Sequence, residues 1–322
     1  MDDPVLVVGA GPIGSEYVKV LRNQGCSRID VLTQSEASAA RAREMLVPHR
    51  ALAGGSGTFA DCAGDYRFIL IAVPVDDLLP ALRIVTARAP KAEVLIEKPV
   101  ALYSAQLRHF LDDHPHCRAM AALNRLYFPS VQALRRRLAD DPPLSGRFCF
   151  TEWILKLPIE RFSPEVLARW GVANSIHLIA TYFDLLGPLE NLTPVIAGAD
   201  AIPWHPAGAR FYGAGRTPGG LPFAYDADWQ SGGRHAMEIF SATGVYALKP
   251  LHQLCFTARE AVEEQVIEPI YHGETKCGFA GLVAAFLAGA AETRARLGLP
   301  RLLQHVQAVE AIFGYPPDQR AA

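Results

Sequence analysis

The sequence predicts a protein of the α/β class, with a parallel-sheet domain over residues 1–123 and an α+β domain with a predominantly antiparallel open sheet over residues 124–322. Three observations support this. Short apolar runs alternate with amphipathic segments up to Leu123, a glycine-rich turn follows the first apolar run, and β-rich segments separated by turn residues occupy the second half. A length of 322 residues also allows about two domains.

Strands and helices alternate in the first domain. The predicted strands span residues 4–8, 29–32, 68–73, 93–96 and 118–123. The predicted helices between them span residues 15–22, 35–46, 77–88 and 104–111. Apolar strands that alternate with helices form βαβ units, so we expect their sheet to be parallel.

The second domain has a different pattern. Its predicted strands span residues 146–153, 225–230, 234–240, 244–248 and 251–257, with a Ser-Gly-Gly turn before the third. Its predicted helices span residues 174–186, 279–296 and 302–313. Residues 205–220 are rich in Gly, Pro and Arg and are predicted to form a long loop.

The composition excludes several classes of protein. The formal net charge is −2 and no dense Lys/Arg run occurs, so we expect no nucleic-acid partner. No apolar stretch reaches membrane-spanning length, and the first residues lack a signal segment, so we expect a cytoplasmic protein with no membrane partner. The six cysteines form no CxxC pair and no zinc-finger spacing, which predicts reduced, mostly buried thiols and no metal site.

The turn after the first predicted strand fits GxGxxG, as Gly9-Ala10-Gly11-Pro12-Ile13-Gly14. Because it follows a strand and opens a helix within a βαβ unit, it predicts a Rossmann dinucleotide-binding site. Gly9 would allow the tight turn, Gly11 the approach of a pyrophosphate, and Gly14 close packing of helix and strand, with the phosphates at the helix N-terminus. A tight turn without a ligand is the alternative.

The end of the second strand is where a dinucleotide ribose is recognised. Thr33-Gln34-Ser35 contains no carboxylate before Glu36, and Arg41 and Arg43 follow on the helix. A carboxylate would repel a 2′-phosphate, so this pattern favours NADP slightly over NAD. Thr33 and Glu36 could instead form a capping box. The predicted cofactor-binding set also includes Val73 and Pro74, which end and follow the third strand.

Glu97-Lys98-Pro99 follows the fourth predicted strand. Ligands of an open parallel sheet lie beyond the carboxyl ends of its strands, which places Lys98 near the nicotinamide end and Glu97 beside it. The Lys98 ammonium could polarise an oxygen of the substrate and share a proton relay, and Pro99 restricts the backbone of Lys98 to an extended form. A surface lysine is the alternative.

Four motifs together resemble the Gfo/Idh/MocA oxidoreductases, the relatives of glucose-fructose oxidoreductase and inositol dehydrogenase. They are the glycine turn, Ile96-Glu97-Lys98-Pro99, Asn124-Arg125-Leu126-Tyr127-Phe128-Pro129 and Asn174-Ser175-Ile176-His177. Phe150-Thr151-Glu152-Trp153 resembles a branch associated with bacterial surface-polysaccharide or sugar metabolism. The resemblance implies NAD(P)-dependent hydride transfer at a hydroxyl or keto carbon of a sugar, nucleotide-sugar or cyclitol, with Lys98 assisting and His177 as general acid/base. It also implies a homodimer or homotetramer.

The sequence of the helix that carries His177 agrees in part with the role that the resemblance implies for this residue. Asn174, His177, Thr181 and Asp184 share one face, which would meet either bulk water or a polar cleft. Histidine titrates near neutrality, as acid/base work requires, although a structural histidine is the alternative. Many relatives carry Asp where this chain has Ala173 and Ala180.

Three further side chains are predicted to bind substrate. Arg125 and Tyr127 follow the last strand of the first domain and could bind hydroxyls, a phosphate or a carboxylate. Trp153 could stack on a sugar face, or pack in the core. Two other functions remain open: an imine reductase or NAD-dependent glycosidase on the same fold, and a non-catalytic regulator that senses a sugar or dinucleotide.

Overall fold

A computed structural model describes residues 3–318 of the chain, which divide into two compact units. The first unit contains residues 3–123 and Glu274–Leu303. The second contains Asn124–Gly273 and residues 304–318. The chain therefore leaves the first unit after Leu123 and returns to it after Gly273.

A six-stranded parallel sheet forms the centre of the first unit, in the order β3-β2-β1-β4-β5-β6. Its strands are β1 (Val5–Val8), β2 (Ile29–Leu32), β3 (Arg50–Leu52), β4 (Phe68–Ile71), β5 (Glu93–Ile96) and β6 (Ala119–Ala121). All residues of β1, β2, β4 and β5 are buried, which explains why these strands are apolar apart from Asp30 and Glu93. The strand order reverses between β1 and β4, which opens a crevice at the carboxyl ends of the strands.

Five helices connect these strands: α1 (Pro12–Asn23), α2 (Glu36–Leu46), α3 (Gly55–Cys62), α4 (Val75–Arg88) and α5 (Ser104–Asp113). Four of the five were predicted. The sequence prediction missed β3 and α3, because β3 has three partly exposed residues and α3 is rich in small residues without an apolar stripe.

The second unit contains an eight-stranded sheet in the order β14-β13-β12-β11-β7-β10-β9-β8, antiparallel except between β7 and β10. Its strands are β7 (Pro143–Cys149), β8 (Glu190–Ala197), β9 (Arg210–Arg216), β10 (Pro222–Asp228), β11 (Ala236–Ser241), β12 (Gly244–Leu248), β13 (Leu254–Ala258) and β14 (Gln265–Glu268). Its helices are α6 (Pro129–Asp140), α7 (Pro164–Ala168) and α8 (Ile176–Leu186). Aromatic side chains of one sheet face pack against α8, as in the pair Phe148 and Tyr182, with ring centroids 4.4 Å apart.

The predicted loop over residues 205–220 is wrong, because β9 occupies its middle. Two glycines that indicated a loop make room for aromatic rings of the neighbouring strand. A Cβ at Gly213 would lie 2.4 Å from the hydroxyl oxygen of Tyr225, and one at Gly215 would lie 2.8 Å from the ring of Phe223. Glycine in a strand can thus mark a close side-chain approach rather than a break.

A π-helical turn, Gly171–Ser175, precedes α8 and includes the first two residues of the helix predicted over residues 174–186. The C-terminal segment holds this turn, because the hydroxyl of Tyr315 accepts from the backbone N–H of Gly171 at 2.9 Å. The same hydroxyl donates to Nε2 of His205 at 2.6 Å, while Nδ1 of His205 donates to the carbonyl oxygen of Gly208 at 2.8 Å. Burial lowers the pKa of His205 to about 4, so the ring is neutral.

Three helices end the chain: α9 (Phe279–Ala288), α10 (Ala291–Leu297) and α11 (Leu299–Phe313). The single predicted helix over 279–296 breaks at Gly289, which has φ +62°. Contrary to the predicted division, α9 and α10 belong to the first unit. The reason is apolar packing: the rings of Phe279 and Tyr17 are 5.2 Å apart, and those of Phe286 and Phe68 are 5.7 Å apart.

The six cysteines are free thiols; Cys26 and Cys255 are buried, and the other four are partly buried. Within residues 3–318, no helix is both long and apolar enough to cross a membrane. The same part of the chain holds no group of three or more His, Cys, Asp and Glu side chains arranged to hold a metal ion.

Candidate functional site

A cavity of about 710 Å³ lies at the carboxyl ends of the strands in the first unit. The loops that follow three strands line it: Gly9 and Gly11 after β1, Thr33 and Gln34 after β2, and Val73 and Pro74 after β4. An open parallel sheet binds its ligands at this edge. Six of the residues predicted to bind a cofactor therefore surround one cavity.

Each glycine of the turn after β1 has its own steric environment. Gly9 has φ +100°, and a Cβ there would lie 2.3 Å from the carbonyl oxygen of Ala72. A Cβ on Gly14 would lie 1.9 Å from the carbonyl oxygen of Gly9, so only glycine lets α1 pack this closely. A Cβ on Gly11 would meet nothing within 4 Å. Gly9 and Gly14 thus shape the turn, and Gly11 leaves open space beside the backbone.

The helix α1 begins directly at this turn. Gly11 is its N-cap, no side chain caps it, and Pro12 is its first residue. The first N–H groups of such a helix, together with its partial positive charge, form a site for a phosphate. Pro12, Ile13 and Gly14 belong to this helix start but do not line the cavity.

The residues after β2 do not form the capping box considered as an alternative. The hydroxyl of Thr33 donates to the carbonyl oxygens of Ser35 and Leu52, at 3.0 and 3.2 Å. The N-cap of α2 is Ser35, whose hydroxyl accepts from the backbone N–H of Ser38 at 3.3 Å. The capping-box prediction is wrong because α2 begins later, at Glu36, so Thr33 lies two residues before the cap.

The two arginines of α2 face different surroundings. Arg41 donates to the hydroxyl of Ser38 at 3.0 Å, and both residues line the cavity. Arg43 instead pairs with Glu36 at 2.8 Å. Among the described residues that line the cavity, Asp77 at the start of α4 is the only carboxylate. The wall beside β2 is therefore basic rather than acidic.

Gln34 lies against the backbone of Gly55 at the start of α3. A Cβ on Gly55 would lie 2.5 Å from Oε1 of Gln34, and Gly55 has φ +58°. Gly55 and Ser56 also line the cavity, which the sequence prediction missed. The Gly-Gly-Ser-Gly run at residues 54–57 was the available signal, because glycines at a helix start permit close approach of a ligand.

Glu97 and Lys98 lie at the carboxyl end of β5 and outside the lining of the cavity. The hydroxyl of Tyr17, on α1, donates to Oε1 of Glu97 at 2.5 Å. Burial raises the pKa of Glu97, while the Tyr17 bond and the charge of Lys98 act to lower it. Lys98 therefore follows a buried carboxyl group that is tied to α1.

A buried polar cluster lies in the second unit. Nη1 of Arg125 donates to Nδ1 of His235 at 2.8 Å, and Nε2 of the same ring lies 3.4 Å from Oε1 of Glu152. Glu152 also accepts from Nδ2 of Asn174 and from the hydroxyl of Ser175, each at 2.7 Å. The structure thus brings two predicted substrate residues, Arg125 and Asn174, to one carboxylate.

The charge state of Glu152 follows from these contacts. Burial acts to raise its pKa, but His235, the Ser175 hydroxyl and Arg125 outweigh burial and hold the pKa below its ordinary value. Glu152 is therefore an ionised carboxylate at neutral pH. Glu152, Ser175 and His235 were not among the predicted site residues, because the contacts of Glu152 with residues distant along the chain give no local pattern.

The polar residues predicted to share one face of α8 differ in burial and in their contacts. His177 is partly buried in the first turn of the helix. The hydroxyl of Thr181 donates to the carbonyl oxygen of His177 at 2.7 Å, and Asp184 forms an ion pair with Arg135. Thr181 and Asp184 thus make contacts that stabilise the unit itself, and their predicted contact with substrate stays a prediction.

Trp153 is half-exposed rather than part of the core. The ammonium of Lys156 lies 4.0 Å, and the guanidinium carbon of Arg234 lies 4.4 Å, from the centroid of its ring. These contacts are cation–π interactions. Tyr127 is partly buried two residues after Arg125.

No family model and no curated protein matches the chain in sequence. Solved structures do match it over nearly its whole length. An oxidoreductase from Agrobacterium radiobacter, in complex with NAD+, L-tartaric acid and magnesium, has a TM-score of 0.75 at 16% identity and covers 98% of this chain and 96% of its own.

Two sugar dehydrogenases are similar to the chain in the same way. UDP-N-acetylglucosamine 3-dehydrogenase from Acidithiobacillus ferrooxidans has a TM-score of 0.72 at 13% identity, over 97% of both chains. Levoglucosan dehydrogenase, in complex with NADH and L-sorbose, has a TM-score of 0.73 at 14% identity, over 97% of this chain and 96% of its own. The predicted fold class is confirmed: a parallel sheet with helices is followed by a mostly antiparallel sheet.

Proposed function

We propose that this chain is an NAD(P)-dependent oxidoreductase of the Gfo/Idh/MocA type that acts on a hydroxyl or keto carbon of a sugar, nucleotide-sugar or cyclitol. One observation carries the proposal: the glycine turn, the uncapped start of α1 and the loops after β2 and β4 meet around one large cavity. The structures of similar fold, which hold NAD+ or NADH, support the same cofactor class.

The cavity fits a dinucleotide in shape and in chemistry. Open space beside Gly11 and the N–H groups of α1 would receive the pyrophosphate. Gln34, Ser38 and Arg41 would meet the ribose, and the last two favour NADP because they offer a hydroxyl and a guanidinium to a 2′-phosphate. Apolar side chains on α2, α3 and α4 would cover the adenine.

The bound cofactor supplies hydride transfer at a carbon that bears a hydroxyl or keto group. Lys98 would hold the substrate oxygen through its ammonium and stabilise developing negative charge there. His177 would give or take the hydroxyl proton at an imidazole nitrogen. Asn174, Thr181, Asp184, Arg125, Tyr127 and Trp153 remain proposed substrate contacts.

A non-catalytic binding protein is the second candidate. Ala173 and Ala180 are buried on both sides of His177, so neither position offers a carboxylate to orient the imidazole. Such a protein would bind the dinucleotide tightly and turn over no substrate. Tight binding combined with no oxidation or reduction across a panel of sugars and cyclitols would favour this candidate.

Self-association belongs to the proposed function as well. Val195 and Tyr212 are exposed apolar side chains that lie opposite each other on β8 and β9 of the second unit. Side chains of this kind on a sheet face support a contact between copies of the chain. Light scattering is expected to give the mass of a homodimer or homotetramer, and a monomer at micromolar concentration would contradict it.

Cofactor binding is the first test. NADH and NADPH titrations by calorimetry are compared for the wild type, Gly11→Asp and Gly232→Asp. Aspartate is a favourable N-cap, so Gly11→Asp should fold normally and yet lose at least about 100-fold in affinity by repelling the pyrophosphate. Gly232→Asp adds the same charge in open space within the second unit and should bind normally. If the wild type binds neither nucleotide, the proposed function is wrong.

The role of Lys98 is tested once a substrate is found. Lys98→Met should lower kcat by about 100-fold or more and leave the Kd of the cofactor within a few-fold. Lys91→Met, at an exposed position of the same unit, is the matched control. Unchanged turnover in Lys98→Met would remove Lys98 from the chemistry.

A further inference from the structure

The guanidinium of Arg125 has a fixed orientation. Its Nη1 donates to Nδ1 of His235, and the ring of His235 is held on its other side at Glu152. Because a guanidinium only donates hydrogen bonds, Nδ1 must be the unprotonated nitrogen of this ring. The proton of His235 is then on Nε2, which faces the carboxylate. The ring of His235 thus holds Arg125 in place.

This orientation leaves one edge of Arg125 available. Nε and Nη2 form the edge that does not include Nη1, and the structure gives them no hydrogen-bond partner among residues 3–318. The guanidinium is partly buried, so these donors cannot all be fully hydrated. An edge of two parallel N–H donors matches the two oxygens of a carboxylate or phosphate.

The charges around this edge are not balanced. Arg125 and Glu152 form no direct ion pair, since the ring of His235 lies between them. Burial lowers the pKa of Arg125 to about 10, although the charge of Glu152 acts against this shift. The guanidinium is therefore still charged at neutral pH and would gain from a second negative group.

The neighbouring residues along the chain add more positive charge. Glu152 is followed by Trp153, and His235 is preceded by Arg234, whose guanidinium lies against the Trp153 ring with Lys156. Arg234 and Lys156 are therefore fixed near an exposed aromatic surface. These two cations are held at Trp153, the residue that follows Glu152 in the chain.

We propose that the substrate is an anionic sugar derivative, whose carboxylate or phosphate oxygens are bound by the Nε and Nη2 edge of Arg125. The inference rests on the proposed function, because it names the class of substrate for that activity. Arg125 is assigned here to specificity and binding, and the proton and hydride steps are not assigned to it.

The test compares probes that differ in charge. D-glucuronate and D-glucose differ only in a carboxylate in place of a hydroxymethyl group, and UDP-glucose carries its charge on a diphosphate. Calorimetry measures the binding of each probe to the full chain, with and without saturating NADH, for the wild type, Arg125→Met and Arg136→Met. Arg136 is exposed on α6 and serves as the matched control.

We expect one of the two anionic probes to bind at least about tenfold more tightly than D-glucose. Arg125→Met should weaken the binding of that anionic probe by about 100-fold and change the affinity for D-glucose by less than about threefold. Arg136→Met should change neither affinity. The preferred anionic probe identifies the source of the charge as a sugar acid or a nucleotide diphosphate.

Two results would overturn the inference: no preference for either anionic probe over D-glucose, or an equal loss for charged and neutral probes in Arg125→Met. Its failure is distinguishable from failure of the proposed function. NADH or NADPH binding without a charge preference removes only the inference. A charge preference that depends on Arg125, without any nucleotide binding, removes only the proposed function.

Discussion

The two candidate sites of this protein are built from different materials. The cavity of the first unit is shaped by glycines and by the start of α1, so backbone conformation determines it. The cluster of the second unit consists of side chains, Arg125, His235, Glu152 and Asn174, each held by the next. Steric fit therefore limits substitution at Gly9 and Gly14 in the first site, whereas the charge of Glu152 limits substitution in the second.

The largest expected effect is a difference in stability between substitutions at Gly9 and at Gly11, in the turn after β1. Gly9→Ala should lower the free energy of unfolding by about 4 kcal/mol or more, because its Cβ would overlap the carbonyl oxygen of Ala72 at positive φ. Gly11→Ala should change it by less than about 1 kcal/mol, since that Cβ meets open space. Urea denaturation measures both variants. Equal losses would mean that the turn is not shaped as described.

Removal of the negative charge of Glu152 should lower the stability of the second unit. Glu152→Gln keeps the volume of the side chain but leaves Arg125 without its compensating carboxylate, which should cost about 3 kcal/mol of unfolding free energy at pH 7. Because the folded-state pKa of Glu152 lies below its ordinary value of 4.5, the stabilisation is complete above that pH and is lost as the pH falls through the folded value. The wild type should therefore lose its advantage over Glu152→Gln below about pH 4.5.

Glu160→Gln, at an exposed position of the same unit, is the control for this comparison. It should match the wild type at pH 7. If Glu152→Gln also matches the wild type at that pH, the cluster does not contribute to folding.

The third prediction concerns His205, whose effect on stability should appear at a higher pH than that of Glu152. The folded-state pKa of His205 is about 4, below its ordinary value of 6.5, so the unfolded chain binds a proton that the folded chain excludes. Stability should then fall by about 2 kcal/mol between pH 6.5 and pH 5. His205→Gln should flatten this part of the curve, as followed by thermal unfolding. An unchanged slope would show that His205 is not buried as a neutral ring.

The smallest effect tests the basic wall of the cavity. Arg41→Ala should reduce the ratio of NADPH affinity to NADH affinity by about tenfold, which corresponds to about 1.4 kcal/mol. Arg43→Ala should leave the ratio unchanged, because Arg43 pairs with Glu36 instead of lining the cavity. A ratio that changes equally in both variants would assign the nucleotide preference to general charge rather than to Arg41.

The sequence alone predicted those elements of the fold that depend on local patterns. The bounds of β2 and β5 were predicted correctly, because buried parallel strands are continuous apolar runs. The glycine turn was predicted because its function depends on local backbone geometry. The strand β9 was missed because its glycines respond to rings on β10, and no local pattern contains that neighbour.

The residues of the candidate sites were also predicted where they follow from topology and missed where they depend on tertiary contacts. Six cavity residues were predicted from loops that follow strands, since the position of a loop at a sheet edge follows from topology. In the second unit, Arg125 and Asn174 were proposed singly, whereas Glu152 and His235, which join them, were not assigned. Contacts between residues more than 80 positions apart, as between Glu152 and His235, depend on tertiary packing that a single sequence does not display.

The return of Glu274–Leu303 to the first unit has a consequence for synthesis of the chain. Tyr17 and Phe68 are translated before Phe279 and Phe286, the residues that cover them. Until then the nascent chain must keep apolar surface of α1 and β4 exposed to solvent or to a chaperone. A vector that encodes residues 1–123 alone would therefore produce an incomplete unit, and a soluble nucleotide-binding fragment needs residues 274–303 fused to it.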